Sequence, residues 1–459
     1  MNALSLSVGY TRSLQHYTVQ KTKSKYSLSS LSMPLIRRSL LVLVFSEMER
    51  LAASAVVAVA LLVVAVTFSL SLLFFAGESA NNFTGDTNLG RKPELKGLCD
   101  DLIERYGHPC SEHEVQTKDG YILGLQRVSS RAKILREQKG PPVLLLHGLF
   151  MSGDAWFLDS VNQSLGYILA DHGFDVWVGS VRGTRWSHGH VSLSEKDKEF
   201  WDWSWEELAL HDLPAMLRYV NKISNSKVFV VGHSQGTIMS LAAFTEPDIT
   251  KMVMGAALLC PITYLEHVSA PFVLRLVSMH LDQVVLALGS IELGAQILDF
   301  VCDDGRVDCN DLLTSITGIN CCINISRIDF YLEYEPHPSS SKNLNHLFQM
   351  IRKGTFAKYD YGKLKNIKRY GQFKPPKFDL SRIPISLPLW IGYGGNDALG
   401  DMTDLLHTLK ELQSDPELLY LENYGHVDFL LSVTAKRDVY DSMIGFFRSL
   451  RGKSSISSL

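Results

Sequence analysis

Residues 232–236, Gly-His-Ser-Gln-Gly, read G-x-S-x-G. A serine hydroxyl attacks poorly until a base removes its proton, so the pentapeptide means chemistry only if the chain also places a base and an acid. The apolar run KVFVV precedes it and the helix-like run TIMSLAAF follows it. That strand–turn–helix setting lifts the Ser234 hydroxyl to the end of a strand and the start of a helix, whose dipole favours negative charge. Gly232 and Gly236, on either side of His233 and Gln235, leave room for so tight a turn. The competing reading is a glycine-rich β–α turn of a nucleotide-binding fold, yet neither G-x-G-x-x-G nor G-x-x-x-x-G-K-[ST] occurs in the chain.

An acid and a base should follow the serine in that order. Downstream, LPLWIGYGGNDALGD runs from a strand into a glycine-rich loop bearing Asp397, and ELLYLENYGHVDFL runs from a strand into a loop bearing His426. Asp397 would fix the imidazole tautomer, and His426 would take the Ser234 proton and return it to the leaving alcohol. Asp401, Asp404 and Asp428 compete for the acid role. Asp428 reads as a brace for the His426 loop, His407 as a helix surface residue, and His337 lies in an inserted segment. Developing oxyanion charge needs backbone donors. Val143–Leu146 runs into His147-Gly148-Leu149-Phe150, which offers the N–H of Leu149, and the second donor is the N–H of Gln235 directly after the nucleophile. His147 reads as structural. His188 and His190 read as a polar loop, and Trp201, Trp203 and Trp205 as helix entry and core. No metal site and no cofactor is expected.

The elements that must hold these residues are legible as short apolar runs, Val143–Leu146, Val176–Val178, Val228–Val231, Val253–Leu259 and Leu387–Gly392, which alternate with helical patterns. Each is nearly continuous, as in strands covered on both faces. A mostly parallel α/β sheet flanked by helices follows. KDGYILGLQRV adds a hairpin around Asp119-Gly120. Between Pro261 and Pro384 the alternation stops, and Pro271–Met279 and Leu281–Leu293 are strongly apolar, which reads as a helical cap inserted at residues 261–384. The core then spans 81–260 and 385–452, with a tail at 453–459. With 459 residues, 46% apolar and 20% charged, the chain suits one large domain with an insertion, and a formal charge of −3 gives no reason to expect nucleic acid.

Residues 51–76 carry no charge, Arg50 precedes them and Glu78 follows. That stretch is long enough to span a bilayer, so residues 48–80 read as a signal peptide or an uncleaved signal anchor, with membrane anchoring through 51–76 as the alternative. Residues 1–47 are basic and Ser-rich, an upstream extension that is either untranslated or disordered. Sequons at Asn82, Asn162 and Asn324 are candidate glycan acceptors. With seven cysteines and the apolar leader they favour an oxidising compartment: secreted, or a vacuolar or lysosomal lumen. No CxxC pair supports zinc.

The blocks TKDGYILGLQRV, LLLHGLF, LADHGFDVWVGSVRGTRWS, VVGHSQGT, INISRIDFYLEYEPHPSSSKN, GGNDALGD and YGHVDF resemble the acid lipase family of gastric and lysosomal lipases, and above all its plant members, from about Cys99 to Phe447. The resemblance implies an α/β-hydrolase fold with about eight central strands and a cap. It implies Ser234, Asp397 and His426 as triad, Leu149 and Gln235 as oxyanion donors, and disulfides Cys99–Cys110 and Cys302–Cys309. The expected activity is hydrolysis of triacylglycerols at a lipid–water interface through an acyl-serine. Two alternatives stand beside it: a steryl-ester hydrolase or acyltransferase on the same triad, and a catalytically silent lipid-binding scaffold. The cap residues Phe272, Leu274, Leu276, Val277, Val285 and Leu288, with Val284, suit an acyl chain or a lipid surface.

Overall fold

A computed structural model of the chain describes residues 97–138, 140–287, 292–293 and 309–456. The leader and extension, Asn82, Cys302, Leu288 and the side chains of Val284 and Cys309 lie outside the described residues.

The central strands form where the sequence is apolar on both faces. Pro142–Leu146 (β3) and Val228–His233 (β6) are buried at every position, and alternate residues feed opposite sides of the sheet. Leu144, Leu146, Val228 and Val230 join one hydrophobic cluster, whereas Val143, Leu145, Phe229 and Val231 join the other. That two-sided burial is what a parallel sheet between helical layers requires. The remaining strands are β1 (Cys110–Gln116), β2 (Tyr121–Val128), β4 (Asp175–Gly179), β5 (Gly189–His190), β7 (Val253–Leu259), β8 (Glu292–Leu293), β9 (Ser339–Ser340), β10 (Leu389–Gly394) and β11 (Glu417–Leu421). The main sheet runs β1-β2-β4-β3-β6-β7-β10-β11, with β5 paired to β2. From β4 to β11 all neighbours are parallel, and β1 and β2 form the antiparallel edge around the turn expected at Asp119-Gly120.

A buried cation ties the antiparallel edge to the rest. The Arg182 guanidinium donates to Asp212 at 2.5 and 2.8 Å and to Asp119 at 2.6 and 3.0 Å, and lies 3.8 Å from the centre of the Tyr121 ring. Trp201, Trp203 and Trp205 are buried, and Ser204 caps the helix that starts at Trp205, so this cluster does serve helix entry and core. Within residues 261–384 the described elements are mostly helices, including Pro271–Ser278, Leu281–Ala287, Ile328–Tyr334, Ser341–Lys353 and Lys363–Tyr370. A two-residue antiparallel pairing of β8 with β9 also lies there. It is too short to leave a periodic signal in sequence.

Candidate active site

Ser234 sits between β6 and the helix Gln235–Phe244, with φ 52° and ψ −116°. A left-handed φ at a non-glycine residue stores roughly 1–3 kcal/mol and must be held by its surroundings. Here the Ser234 N–H donates to Leu259 O at 3.0 Å, and Ser234 O accepts from Thr237 N–H at 2.8 Å. The glycines are required by contact. A Cβ on Gly232 would lie 2.6 Å from Gly236 O, and one on Gly236 would lie 2.4 Å from Leu146 O.

Asp397 and His426 lie in the loops after β10 and β11, at the same carboxyl edge of the sheet as Ser234. Asp397 Oδ1 accepts the N–H groups of Leu399 (2.8 Å) and Gly400 (2.7 Å), and His426 Nδ1 donates to Oδ2 at 2.8 Å. Burial alone would raise Asp397, but His426 and these two N–H groups outweigh it and hold the carboxylate below its ordinary range. The proton on Nδ1 leaves a lone pair on Nε2, which is buried and without a hydrogen-bond partner among the described residues. The backbone keeps the ring in place. His426 N–H donates to Thr317 O at 3.1 Å, and His426 O accepts from the His233 ring at 3.0 Å. His233, the residue before the serine, thus links the two loops; burial and then the His426 ring push it down to about 3.

The competing acids are engaged elsewhere. Asp401 caps the helix Met402–Glu411, Asp404 bonds His267 at 2.8 Å, and Asp428 accepts from the N–H groups of Gly425, Cys321 and Cys322. His407 stacks on Tyr264, half exposed. His188 is exposed, while His190 lies in β5, a strand where the sequence suggested a loop: its pairing to Tyr121 is two residues long.

Gly148 brings the loop after β3 against the serine: a Cβ there would lie 3.3 Å from Ser234 Cβ. His147 is structural, donating from Nδ1 to Gly148 O and accepting Val181 N–H on Nε2 while burial lowers it to about 4. Phe150, the residue after Leu149, has φ 59°. Its carbonyl accepts the His337 N–H at 2.7 Å. The His337 ring is fixed in turn: Nε2 donates to Asp154 Oδ2 at 2.7 Å and Nδ1 accepts Arg185 N–H at 3.2 Å. At Gln235, the other expected donor, Asn343 Nδ2 donates to Oε1 at 2.7 Å. Sequence reasoning missed Asp154 and Asn343 and placed His337 only by segment. The block YEPHPSSSKN contains two of them, but nothing local shows what they meet.

Two clusters converge ligand-type atoms within 4.8 Å of one another: Cys260 with Asp397 and His426, and Glu335 with Asp154 and His337. In both, the histidine nitrogen facing the aspartate carries a proton, which suits proton sharing better than ligation. Cys99 and Cys110 are bonded, as the resemblance implied. Cys321 and Cys322 are bonded to each other, a pairing the sequence gave no cause to expect, and Cys260 is a buried free thiol. Asn162 is exposed, whereas Asn324 is half-buried and caps the turn at Ile325.

A sequence profile described as "alpha/beta hydrolase fold" matches residues 141–432, and one described as "Partial alpha/beta-hydrolase lipase region" matches residues 99–160. Triacylglycerol lipase 1 of Arabidopsis thaliana is 63% identical over 361 residues, covering 77% of this chain and 91% of that one. Triacylglycerol lipase 2 of the same plant is 37% identical over 84% of this chain and 97% of its own. Gastric triacylglycerol lipase of Rattus norvegicus is 34% identical, covering 77% of this chain and 92% of that one.

Proposed function

The chain belongs to the α/β-hydrolase family, among its lipases, and from that premise we propose that it hydrolyses triacylglycerols with Ser234, His426 and Asp397. One observation carries the assignment: His426 is held by Asp397 through Nδ1 while its buried Nε2 has no partner among the described residues. Such a nitrogen is ready to take a proton. Ser234 Oγ attacks the ester carbonyl as its proton passes to His426 Nε2, and Asp397 stabilises the imidazolium. The N–H groups of Leu149 and Gln235 receive the oxyanion. His426 then protonates the departing alcohol, and water, activated by the same nitrogen, releases the fatty acid from Ser234.

Helix Pro271–Ser278 leaves Leu274 and the adjoining Met279 exposed while Val277 is buried, a surface that supports contact of the cap with a lipid–water interface. The apolar leader and the Cys99–Cys110 bond support a lumenal, secretory-pathway location, with anchoring through 51–76 as the alternative. Among the described residues no helix is long and apolar enough to cross a membrane.

A fluorophosphonate probe on the purified protein tests the reading. Labelling of the wild type and none of Ser234→Ala is expected, with trioleoylglycerol turnover lost in the same variant. Equal labelling of both proteins would remove Ser234 as nucleophile.

A further inference from the structure

The helix Lys363–Tyr370 packs with its polar residue inward. Asn366 is fully buried, accepting Tyr361 N–H at 3.0 Å and donating to Asp360 at 2.7 Å and to Phe373 O at 2.9 Å. The apolar residues face out: Leu364 is 83% exposed, Ile367 40%, and Phe373 in the following turn 62%. Soluble helices place such residues the other way round. Glycines at positive φ, Gly362 and Gly371, bound the helix, and a Cβ on either would meet nothing within 4 Å.

The charge carried by this segment itself is one-sided. Residues 361–378 contain Lys363, Lys365, Lys368, Arg369, Lys374 and Lys377, with no Asp or Glu, in a chain whose formal net charge is −3. All six are exposed. The upstream lysines Lys353 and Lys358 are paired with Asp360 and Glu206. The five lysines of the patch have no carboxylate partner among the described residues. Desolvated ion pairing therefore does not explain them, and core packing does not explain Leu364 or Phe373.

We propose that this segment is a docking surface for anionic lipid, seating Leu364, Ile367 and Phe373 among acyl chains while its cations meet acidic headgroups. Basic helices with exposed apolar residues bind membrane interfaces in this way. Each Lys or Arg near an anionic surface contributes about 1 kcal/mol, which is about fivefold in binding. The occupant follows from charge complementarity together with the apolar tips, which a soluble polyanion would leave in water. The surface rests on the lipase reading only in that the enzyme works on lipid. It would hold the enzyme on phospholipid-coated substrate without touching the reacting ester.

Sedimentation of the full chain with phosphatidylcholine vesicles, and with vesicles one third phosphatidylserine, tests the surface. Wild type is expected to partition at least about tenfold more strongly onto the phosphatidylserine vesicles at low salt, an advantage that fades as salt screens it. The variant Lys363→Gln/Lys365→Gln/Lys368→Gln/Lys374→Gln should lose that advantage, and Leu364→Ser/Phe373→Ser should weaken binding to both kinds of vesicle. All proteins share the same leader, so the differences report the patch alone. Turnover of a short soluble ester should be unchanged in both variants; that assay reads the hydrolase chemistry separately. Equal partition of wild type onto both vesicles, or an undiminished preference in the lysine variant, would overturn the proposal. Tight binding to soluble polyglutamate without a vesicle preference would overturn it too, in favour of an acidic protein.

Discussion

Two buried histidine–aspartate pairs lie at the site, and they are nearly identical in length. His426 meets Asp397 at 2.8 Å in the loops of the core, and His337 meets Asp154 at 2.7 Å between the inserted segment and the loop after β3. Each has a third group beside it whose proton is retained: burial, and then the neighbouring aspartate, push the Cys260 thiol and the Glu335 carboxyl well up. The pairs differ at the far nitrogen. His337 Nδ1 accepts Arg185 N–H, whereas His426 Nε2 has no hydrogen-bond partner among the described residues. A buried His–Asp pair is therefore not in itself a catalytic device. In the proposed mechanism the vacant lone pair is what makes one reactive, and its saturation makes the other a fastener for Phe150, in the loop proposed to supply an oxyanion donor.

The largest expected effect separates the two pairs. Asp397→Asn should reduce turnover by about three to four orders of magnitude by destroying the tautomer His426 needs, and Ser234→Ala or His426→Ala should do the same, since members of such a unit fail together. Asp154→Asn should fall far short of that. If Asp154→Asn matched Asp397→Asn, the distinction drawn from the vacant nitrogen would be wrong. Next in size is His337→Ala. Losing the ring frees the backbone that donates to Phe150 O, and a misplaced donor costs up to about a hundredfold. The loss should fall on kcat, with KM for a short ester nearly constant, and His337→Gln, which can still donate to Asp154, should recover part of it. A change confined to KM would assign His337 to substrate binding instead.

The reactive pair was legible in the sequence and the fastening pair was not, for a physical reason. Ser234, Asp397 and His426 each follow an apolar run; VFVV and PLWIG are the consecutive runs of buried strands, while ELLYL before His426 is apolar on an edge strand that is exposed or half-buried. Their proposed role thus comes with a local signature at the strand end. Asp154 and His337 are 183 residues apart, and Asp154 lies in GDAW, a stretch without periodicity. Nothing near either residue states that a partner exists. The Asn343–Gln235 bond, 108 residues apart, is hidden for the same reason. The parallel sheet was readable because each strand carries its own burial pattern, while β5, β8 and β9, two residues each, carry none.

A third carboxylate sharpens the contrast on a smaller scale. Asp428 stands two residues after His426 but faces backbone: Oδ2 accepts Gly425 and Cys321 N–H at 2.8 and 2.9 Å, and Oδ1 accepts Cys322 N–H at 3.2 Å. Asp428→Asn keeps one acceptor oxygen and turns an NH₂ group toward the remaining N–H. Leaving that donor unmet should cost roughly 1–3 kcal/mol of stability, read by denaturant unfolding. Turnover should drop only a few-fold, as the His426 loop loosens. A loss as deep as that of Asp397→Asn would mean that the catalytic acid had been misassigned.

The smallest expected effect concerns the third group of the fastening pair. The Glu335 carboxyl is buried beside Asp154, with His337 Nε2 3.8 Å away, and burial, followed by the charge of Asp154, raises the group well above its ordinary 4.5. Above that ordinary value the unfolded chain releases this proton while the native chain keeps it. The native state then binds more protons, so this group's contribution to stability declines as pH rises from 4.5 toward its native pKa. Glu335→Gln mimics the protonated acid in shape and cannot ionise. It should match wild type in unfolding free energy near pH 4.5 and become progressively more stable than wild type at higher pH, by up to about 1.4 kcal/mol per pH unit. Turnover of a soluble ester should stay within about twofold, because His337 keeps Asp154 and Arg185 as partners and the oxyanion loop keeps its fastening. Unfolding curves at several pH values decide the matter. If wild type and variant ran parallel from pH 4.5 to 8, Glu335 would be ionised in the folded protein, and the likeness between its carboxyl and the retained thiol of Cys260 would fail.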